Sequence, residues 1–243
     1  MIPKIIHYCW FGRGQMPPLA LNCIDSWKRY LPDYELRLWN EDTFDLDLYP
    51  YAREAYDSRK FAFVTDVVRL WALNKYGGVY MDTDVEVLRS LDDLLTLPAF
   101  TGYEASQSNA PVTGLMASEA GGVWVREQLA YYEGRHFILP DGTMDLTTNT
   151  QTISRIMQAN GFVINGKYGV YKNDMHVFPV DWFCPLTSTR VLRLTKNSRC
   201  IHHFAGSWRE YTRWERVKSF IVEHILGRTL TDKLIQLKRR LKS

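Results

Sequence analysis

The sequence predicts an α/β fold with a mostly parallel central sheet flanked by helices. Three observations predict it. Strand-like runs alternate with helical ones through the first half of the chain, the order that builds parallel sheets. A helical run that is apolar on nearly every side, Phe61–Tyr76, passes through Gly77-Gly78 directly into the strand-like Val79-Tyr80-Met81. That strand ends on Asp82-Thr83-Asp84, and the carboxyl edge of an open α/β sheet is where ligands bind.

Taken in order, residues 2–10 form a first strand centred on Ile5 and Ile6, followed by a loop marked by Gly12, Gly14, Pro17 and Pro18. Residues 19–30 carry Leu21, Ile24 and Trp27 at helical spacing, and 34–39 alternate as a strand. Residues 50–59 suggest a short helix ahead of the helix at 61–76. After Asp84, Val85 and Val87 continue as a strand; 99–103 and 114–118 are strands and 122–132 a helix. Residues 150–160 form a helix with Thr147, Thr148 and Asn149 as candidate caps. Further strands are expected at 177–179 and 200–204. No repeat or interdomain linker interrupts the series.

The chain has 243 residues, of which 46% are hydrophobic and 23% charged, values that suit one large domain with a substantial core. Its four cysteines, Cys9, Cys23, Cys184 and Cys200, form no Cys-x-x-Cys pair, so a zinc site is not expected. No secretory signal and no apolar run of membrane-spanning length is legible, and a reducing, cytoplasmic location is the expectation. Charge is uneven: residues 209–243 carry 10 Lys/Arg against 4 Asp/Glu, a net +6, which leaves −3 on the other 208. In that tail apolar residues recur at helical spacing from Trp214 to Leu241, with Lys and Arg between them. A basic amphipathic helix of this kind suits an anionic membrane surface, or else packs on the domain with a solvated face. No nucleic-acid-binding motif accompanies the charge, so nucleic acid is not expected as a partner.

The chemistry concentrates between residues 66 and 84. Asp66 and Arg69 are three apart and share a face of a helix otherwise apolar. Charges there form an internal salt bridge or line a polar pocket for a ligand. Asp82 and Asp84 are hard oxygen donors suited to Mg²⁺ or Mn²⁺, and a metal at that position would bridge and neutralise a diphosphate. A second Asp-x-Asp, Asp45-Leu46-Asp47, lies in a polar stretch with no strong strand before it and is expected to be a solvated loop. The glycine-rich dinucleotide fingerprint and the phosphate-binding P-loop are both missing from the sequence, so phosphate handling falls to metal and basic side chains.

An ordered set of motifs then resembles a known family. Ile2-Pro3-Lys4-Ile5-Ile6-His7, Trp10-Phe11-Gly12, Asp66-x-x-Arg69, Gly77-Gly78-Val79-Tyr80-Met81-Asp82-Thr83-Asp84 and His203-x-x-Gly206-Ser207-Trp208 together resemble glycosyltransferase family 32. That family includes yeast-type initiating mannosyltransferases, α-1,4-galactosyltransferases, bacterial capsular polysaccharide glycosyltransferases and the catalytic domains of clostridial glucosylating toxins. The resemblance spans residues 2–208. It implies a retaining, metal-dependent hexosyltransferase with a GT-A-type nucleotide-diphospho-sugar transferase fold over residues 1–208, and leaves 209–243 as a basic amphipathic helical tail.

Carried over residue by residue, the resemblance gives Trp10 the base-stacking position, and Asp66 and Arg69 the pair that contacts donor ribose and sugar. Asp82 and Asp84 become the metal pair and, with Asp66 and Arg69, the catalytic set. Asn149 falls on a donor- or acceptor-contacting turn, although the Thr-Gly-Pro often found there is missing; its other reading is a helix cap. Ser207 and Trp208 would touch the diphosphate. A histidine would be the third metal ligand. His202 and His203 compete for this role, since a strand turns neighbours to opposite faces; spacing to Gly206 favours His203.

The implied cofactor is Mn²⁺ or Mg²⁺. The implied donor is a nucleotide-diphosphate sugar, UDP-hexose ahead of GDP-mannose. The acceptor would be a glycan or lipid-linked saccharide in bacterial surface polysaccharide synthesis (capsule or lipopolysaccharide), met at the cytoplasmic face of the inner membrane, on which the protein would sit peripherally. Two other readings stand beside this one. Met81-Asp82-Thr83-Asp84-Val85 resembles the nucleophile motif of haloacid-dehalogenase-like phosphohydrolases, and the chain could be a non-catalytic sugar-nucleotide-binding membrane scaffold.

Overall fold

The computed structural model describes residues 1–105, 109–112, 114–187 and 190–206. Its elements are β1 (Ile5–Cys9), α1 (Pro18–Tyr30), β2 (Glu35–Trp39), α2 (Pro50–Asp57), α3 (Phe61–Tyr76), β3 (Gly78–Met81), β4 (Val85–Val87), β5 (Ala99–Gly102), β6 (Leu115–Ser118), α4 (Val123–Ala130), α5 (Asn149–Ala159), β7 (Gly169–Tyr171), β8 (Met175–Phe178), α6 (Val180–Phe183) and β9 (Cys200–His202). The expected basic tail at 209–243, with Ser207 and Trp208, lies outside the described residues.

Seven strands form one sheet in the order β2-β1-β3-β6-β5-β8-β7. β2, β1 and β3 run parallel; β6 opposes both β3 and β5; β8 is parallel to β5, and β7 opposes β8. Five of the seven strands (β2, β1, β3, β5 and β8) therefore point the same way, which is the mostly parallel sheet expected. β4 departs from expectation. It leaves the sheet after Asp84 and pairs antiparallel with β9 in a separate two-stranded ribbon, Val85 opposite His202. The 200–204 segment thereby ends as a strand at His202, two residues earlier than its apolar pattern suggests.

Alternation along β3 decides which residues meet the helices. Val79 and Met81 join the core that contains Ile24 and Trp27 of α1, while Tyr80 joins the core that contains Val64, Val67 and Val68 of α3. The sheet is thus covered on both faces. α3 is buried around almost its whole girth, as its composition predicts; even Asp66 and Arg69 are only 8% and 9% exposed.

The hinge between α3 and β3 needs its glycines. Gly77 and Gly78 have φ +65° and +111°, and a Cβ on Gly78 would lie 2.7 Å from Ile5 O. His7 of β1 locks the hinge from below: Trp39 Nε1 donates to its Nδ1 (3.1 Å), so its Nε2–H donates to Gly77 O (2.7 Å). Burial pushes the His7 pKa down to about 4, consistent with this neutral tautomer.

α5 starts one residue earlier than its sequence suggests. Thr148 is the N-cap, in a capping box with Gln151, and Asn149 is the first helical residue. The second Asp-x-Asp, expected as a solvated loop, instead forms a 3-10 turn over Leu46–Leu48 with Leu46 buried: Asp45 accepts from Asp47 N–H, and Asp47 pairs with Arg53.

Candidate metal and donor site

The pairing register sets the edge at which the site lies. His7 of β1 is opposite Tyr80 of β3, so two residues further Cys9 comes level with Asp82 and Trp10 with Thr83. Asp82 keeps the facing of Tyr80, toward α3. There Arg69 Nη2 lies 3.2 Å from Asp82 Oδ1 and 3.3 Å from Asp66 Oδ1. The Arg69 guanidinium rests on the Tyr80 ring (4.6 Å), and the Tyr80 hydroxyl donates to Asp82 Oδ1 (2.9 Å). The Asp66–Arg69 pair is the internal salt bridge of the first reading, and Arg69 also reaches a third charge, Asp82, at the sheet edge.

Asp66 is fixed from its other side by α5. Asn149 N–H donates to Asp66 Oδ2 (3.2 Å), and Asn149 Nδ2 donates to Asp66 O (3.2 Å). A carboxylate at the first turn of a helix also gains from its dipole. Burial nonetheless dominates and pushes the Asp66 pKa up to about 6, with Arg69 opposing and Asp82 adding to the rise. Burial likewise disfavours the Arg69 charge, but Asp82, Tyr80 and Asp66 outweigh it and keep the guanidinium protonated. Asn149 Oδ1 is buried and has no hydrogen-bond partner among the described residues.

Asp82, Asp84 and His202 converge beside this cluster. Each offers one ligand atom, and these atoms all lie within 4.8 Å of one another. Ligands around an octahedral cation with bonds of about 2.1 Å stand about 3–4 Å apart, so the group needs little closure to hold one. His202 Nε2 lies 3.4 Å from Asp84 Oδ1. Burial opposes the charge on His202, but the hydrogen bond to Asp84 outweighs it and raises the His202 pKa, while holding Asp84 below the usual carboxylate range. Proton and cation would compete for this pair.

Gly114 makes room for the group. A Cβ there would meet Asp82 Oδ2 at 2.8 Å, Val85 Cγ2 at 3.1 Å and His202 Cε1 at 3.2 Å. With Asp82 Oδ1 taken by Arg69 and Tyr80, Oδ2 is the oxygen on the open side. Two carboxylates and an imidazole suit Mn²⁺ well and Mg²⁺ less so, since imidazole is the softer donor.

One expectation is corrected here. His203, favoured as the third ligand, is turned the other way: its Nε2 lies 2.8 Å from Glu86 Oε2. In β9, His202 is opposite Val85 and faces with it, and alternation puts His203 on the face of Glu86; Asp84 meets His202 from the turn that precedes β4. Spacing to Gly206 misled because it ignores the face that the ribbon presents. Trp10 stands half-buried on the same sheet edge, its indole N–H donating to Gly14 O (2.6 Å). Asp181 is committed to a turn, accepting from Thr195 Oγ1 and Asn197 Nδ2. Tyr80 and Gly114 escaped the sequence reading. Tyr80 could have been found from its i, i+2 relation to Asp82; Gly114 carries no local signal.

Comparison with known proteins gives matches to part of the chain. Residues 17–101 match the family described as "Glycosyltransferase sugar-binding region containing DXD motif". Similar proteins include an inositol phosphoceramide mannosyltransferase 3 of Schizosaccharomyces pombe, 40% identical over 103 residues, and the mannosyl phosphorylinositol ceramide synthase CSH1 of Saccharomyces cerevisiae, 35% identical over 108. Each match covers 41% of this chain, and 29% and 27% of the respective relative, so the chain spans less than a third of their length. Among solved structures, the PaToxG glycosyltransferase aligns with TM-score 0.47 and 18% identity over 65% of this chain and 69% of that one. A glycosyltransferase involved in glycosylation of the major capsid of PBCV-1 aligns with TM-score 0.46 and 13% identity over 89% and 98%.

Proposed function

We infer that this chain, whose residues 17–101 match the family described by the sugar-binding region of DXD-motif glycosyltransferases, moves a hexosyl group from a nucleotide-diphosphate sugar to a hydroxyl of a saccharide or lipid-linked acceptor, with retention of configuration. The observation that carries this reading is the Asp82–Asp84–His202 group at the carboxyl edge of the sheet, joined through Arg69 to buried Asp66.

A divalent cation on Asp82, Asp84 and His202 would neutralise the diphosphate as it leaves. Asp66 has two of its lone-pair sites used by Arg69 and Asn149 and two left, which accept hydrogen bonds from donor sugar or ribose hydroxyls. Arg69 holds Asp66 and Asp82 in register and adds positive charge beside the phosphates. Trp10, on the same edge, offers a ring face to the base; Ser207 and Trp208, outside the described residues, are given to the diphosphate by the motif resemblance alone. Retention proceeds on the front face, the departing phosphate taking the acceptor proton, a route that asks for no carboxylate nucleophile.

UDP-hexose remains the donor implied by the motif resemblance, and the names of the fungal relatives put a mannosyl donor such as GDP-mannose beside it. The same names favour a lipid headgroup as acceptor, whereas a surface-polysaccharide acceptor rests on the resemblance alone. Either lies at a membrane, where the basic segment 209–243 would bring the site close. Among the described residues no helix is long and apolar enough to cross a membrane.

The test is a Mn²⁺-dependent screen of nucleotide sugars that follows donor binding and hydrolysis, with Asp84→Ala as control. Metal-dependent turnover of one donor, lost in the variant, is the expected result and names the sugar. Failure of every donor to bind would sink the reading, and release of phosphate from sugar phosphates would put a phosphohydrolase in its place.

A further inference from the structure

The segment that follows β9 grips Asp84 on three sides. The His202 ring faces Oδ1, the His203 main-chain N–H donates to Asp84 O (2.9 Å), and Ala205 N–H donates to Asp84 Oδ2 (2.7 Å). A chain that touches Asp84 at His203 and returns to it at Ala205 has to reverse at the residue between. Phe204 makes that reversal with φ +49°, a left-handed conformation that bulky side chains rarely enter. Glycine would make the same turn without strain.

What phenylalanine supplies instead is its ring. It stacks on the His202 imidazole, centroids 4.3 Å apart and planes 28° from parallel. Stacking covers the face of the imidazole and leaves Nε2, at the ring edge, directed to Asp84. The outer side of the turn is tied as well: Arg190 Nη1 donates to His203 O (2.6 Å), and His203 Nε2 meets Glu86 Oε2 (2.8 Å). Backbone strain kept in place by this many neighbours is the pattern found at functional sites.

We propose that Phe204 is a positioning residue of the metal centre: its left-handed turn and stacked ring hold His202 Nε2 and Asp84 Oδ1 preset on one point, so that the cation meets an ordered pair. This rests on the metal reading of Asp82, Asp84 and His202. Ala205 N–H occupies Asp84 Oδ2 and leaves Oδ1 for the cation. Preset ligands lose less freedom on binding, which is why partners behind a ligand govern affinity.

Phe204→Gly separates positioning from folding, because it relieves the backbone while deleting the ring. Mn²⁺ affinity is read from the signal of free Mn²⁺ by electron paramagnetic resonance, and Ala205 amide exchange is read in metal-free protein. Phe204→Gly is expected to unfold at or above the wild-type temperature, to lose ~10-fold in Mn²⁺ affinity and to exchange the Ala205 amide faster. Phe204→Tyr should match the wild type in both readouts. Phe204→Leu, which keeps bulk without a stack, serves if the glycine variant fails to fold and should also lose affinity. Wild-type Mn²⁺ affinity in Phe204→Gly or Phe204→Leu overturns the proposal. If the wild type itself binds no Mn²⁺ while Ala205 exchange still responds, the metal reading has failed and Phe204 has no centre to serve; the turn alone is then real.

Discussion

Gly114 and Asp82 approach so closely that no other residue fits at position 114 without moving the carboxylate: a Cβ would lie 2.8 Å from Asp82 Oδ2. The carboxylate has little room to retreat, because Oδ1 is held by the Tyr80 hydroxyl and by Arg69. Gly114→Ala should therefore cost about 1–3 kcal/mol of stability through overpacking and lower Mn²⁺ affinity by ~10-fold or more. Thermal unfolding and a Mn²⁺ titration measure the two effects. Unchanged affinity would mean that Oδ2 is no ligand.

Asp66 trades stability for a charge in the site. Burial pushes its pKa up to about 6 from an ordinary 3.8. Between those values the folded protein binds the proton and the unfolded chain does not, so stability falls as pH rises through that window and stays low above it. Asp66→Asn removes the penalty. The variant should be about 1–3 kcal/mol more stable than the wild type above pH 6, and the two should converge below pH 4, while donor turnover is lost. Urea midpoints at pH 4 and pH 7.5 check the sign; a variant less stable at pH 7.5 contradicts it.

His7 has the opposite dependence. Its pKa is pushed down by burial to about 4, against 6.5 in an exposed histidine, and the unfolded chain takes up the proton first. Its contribution is present above pH 6.5 and is lost as pH falls to 4, by about 3 kcal/mol in all. His7→Gln keeps one donor for Gly77 O and one acceptor for Trp39 Nε1 but does not titrate. Its stability should fall less over that pH range than the wild type's. Parallel profiles would show that another group carries the acid loss.

The site was legible where the chemistry is local and dim where it depends on pairing. Asp66 and Arg69 stand out because a buried helix tolerates few charges, and Asp82 and Asp84 because a short apolar strand delivers them to the sheet edge. The glycine hinge was equally plain, since Gly77 and Gly78 need positive φ. β7 and α6 went unseen because elements of three and four residues give too little periodicity. The β4–β9 ribbon also went unseen, since a pairing of residues over 100 positions apart leaves no mark in either segment. Gly114 belongs to the same class: its need for a bare Cα comes from Asp82 and His202, neither of them near it in sequence.

That hidden ribbon decides the last prediction. Facing puts His203 with Glu86 and leaves His202 on the other side, where Asp84 reaches it from the turn before β4. His202→Ala removes a ligand atom, a larger loss than the 10–100-fold typical of supporting residues, so Mn²⁺ affinity should fall by at least ~100-fold. His203→Ala keeps all three ligand residues and the His203 main-chain N–H on Asp84 O, and it should cost ~10-fold or less. The same Mn²⁺ titration on both variants compares them directly. A larger loss in His203→Ala would reverse the assignment and mean that β9 presents its other face to the cation.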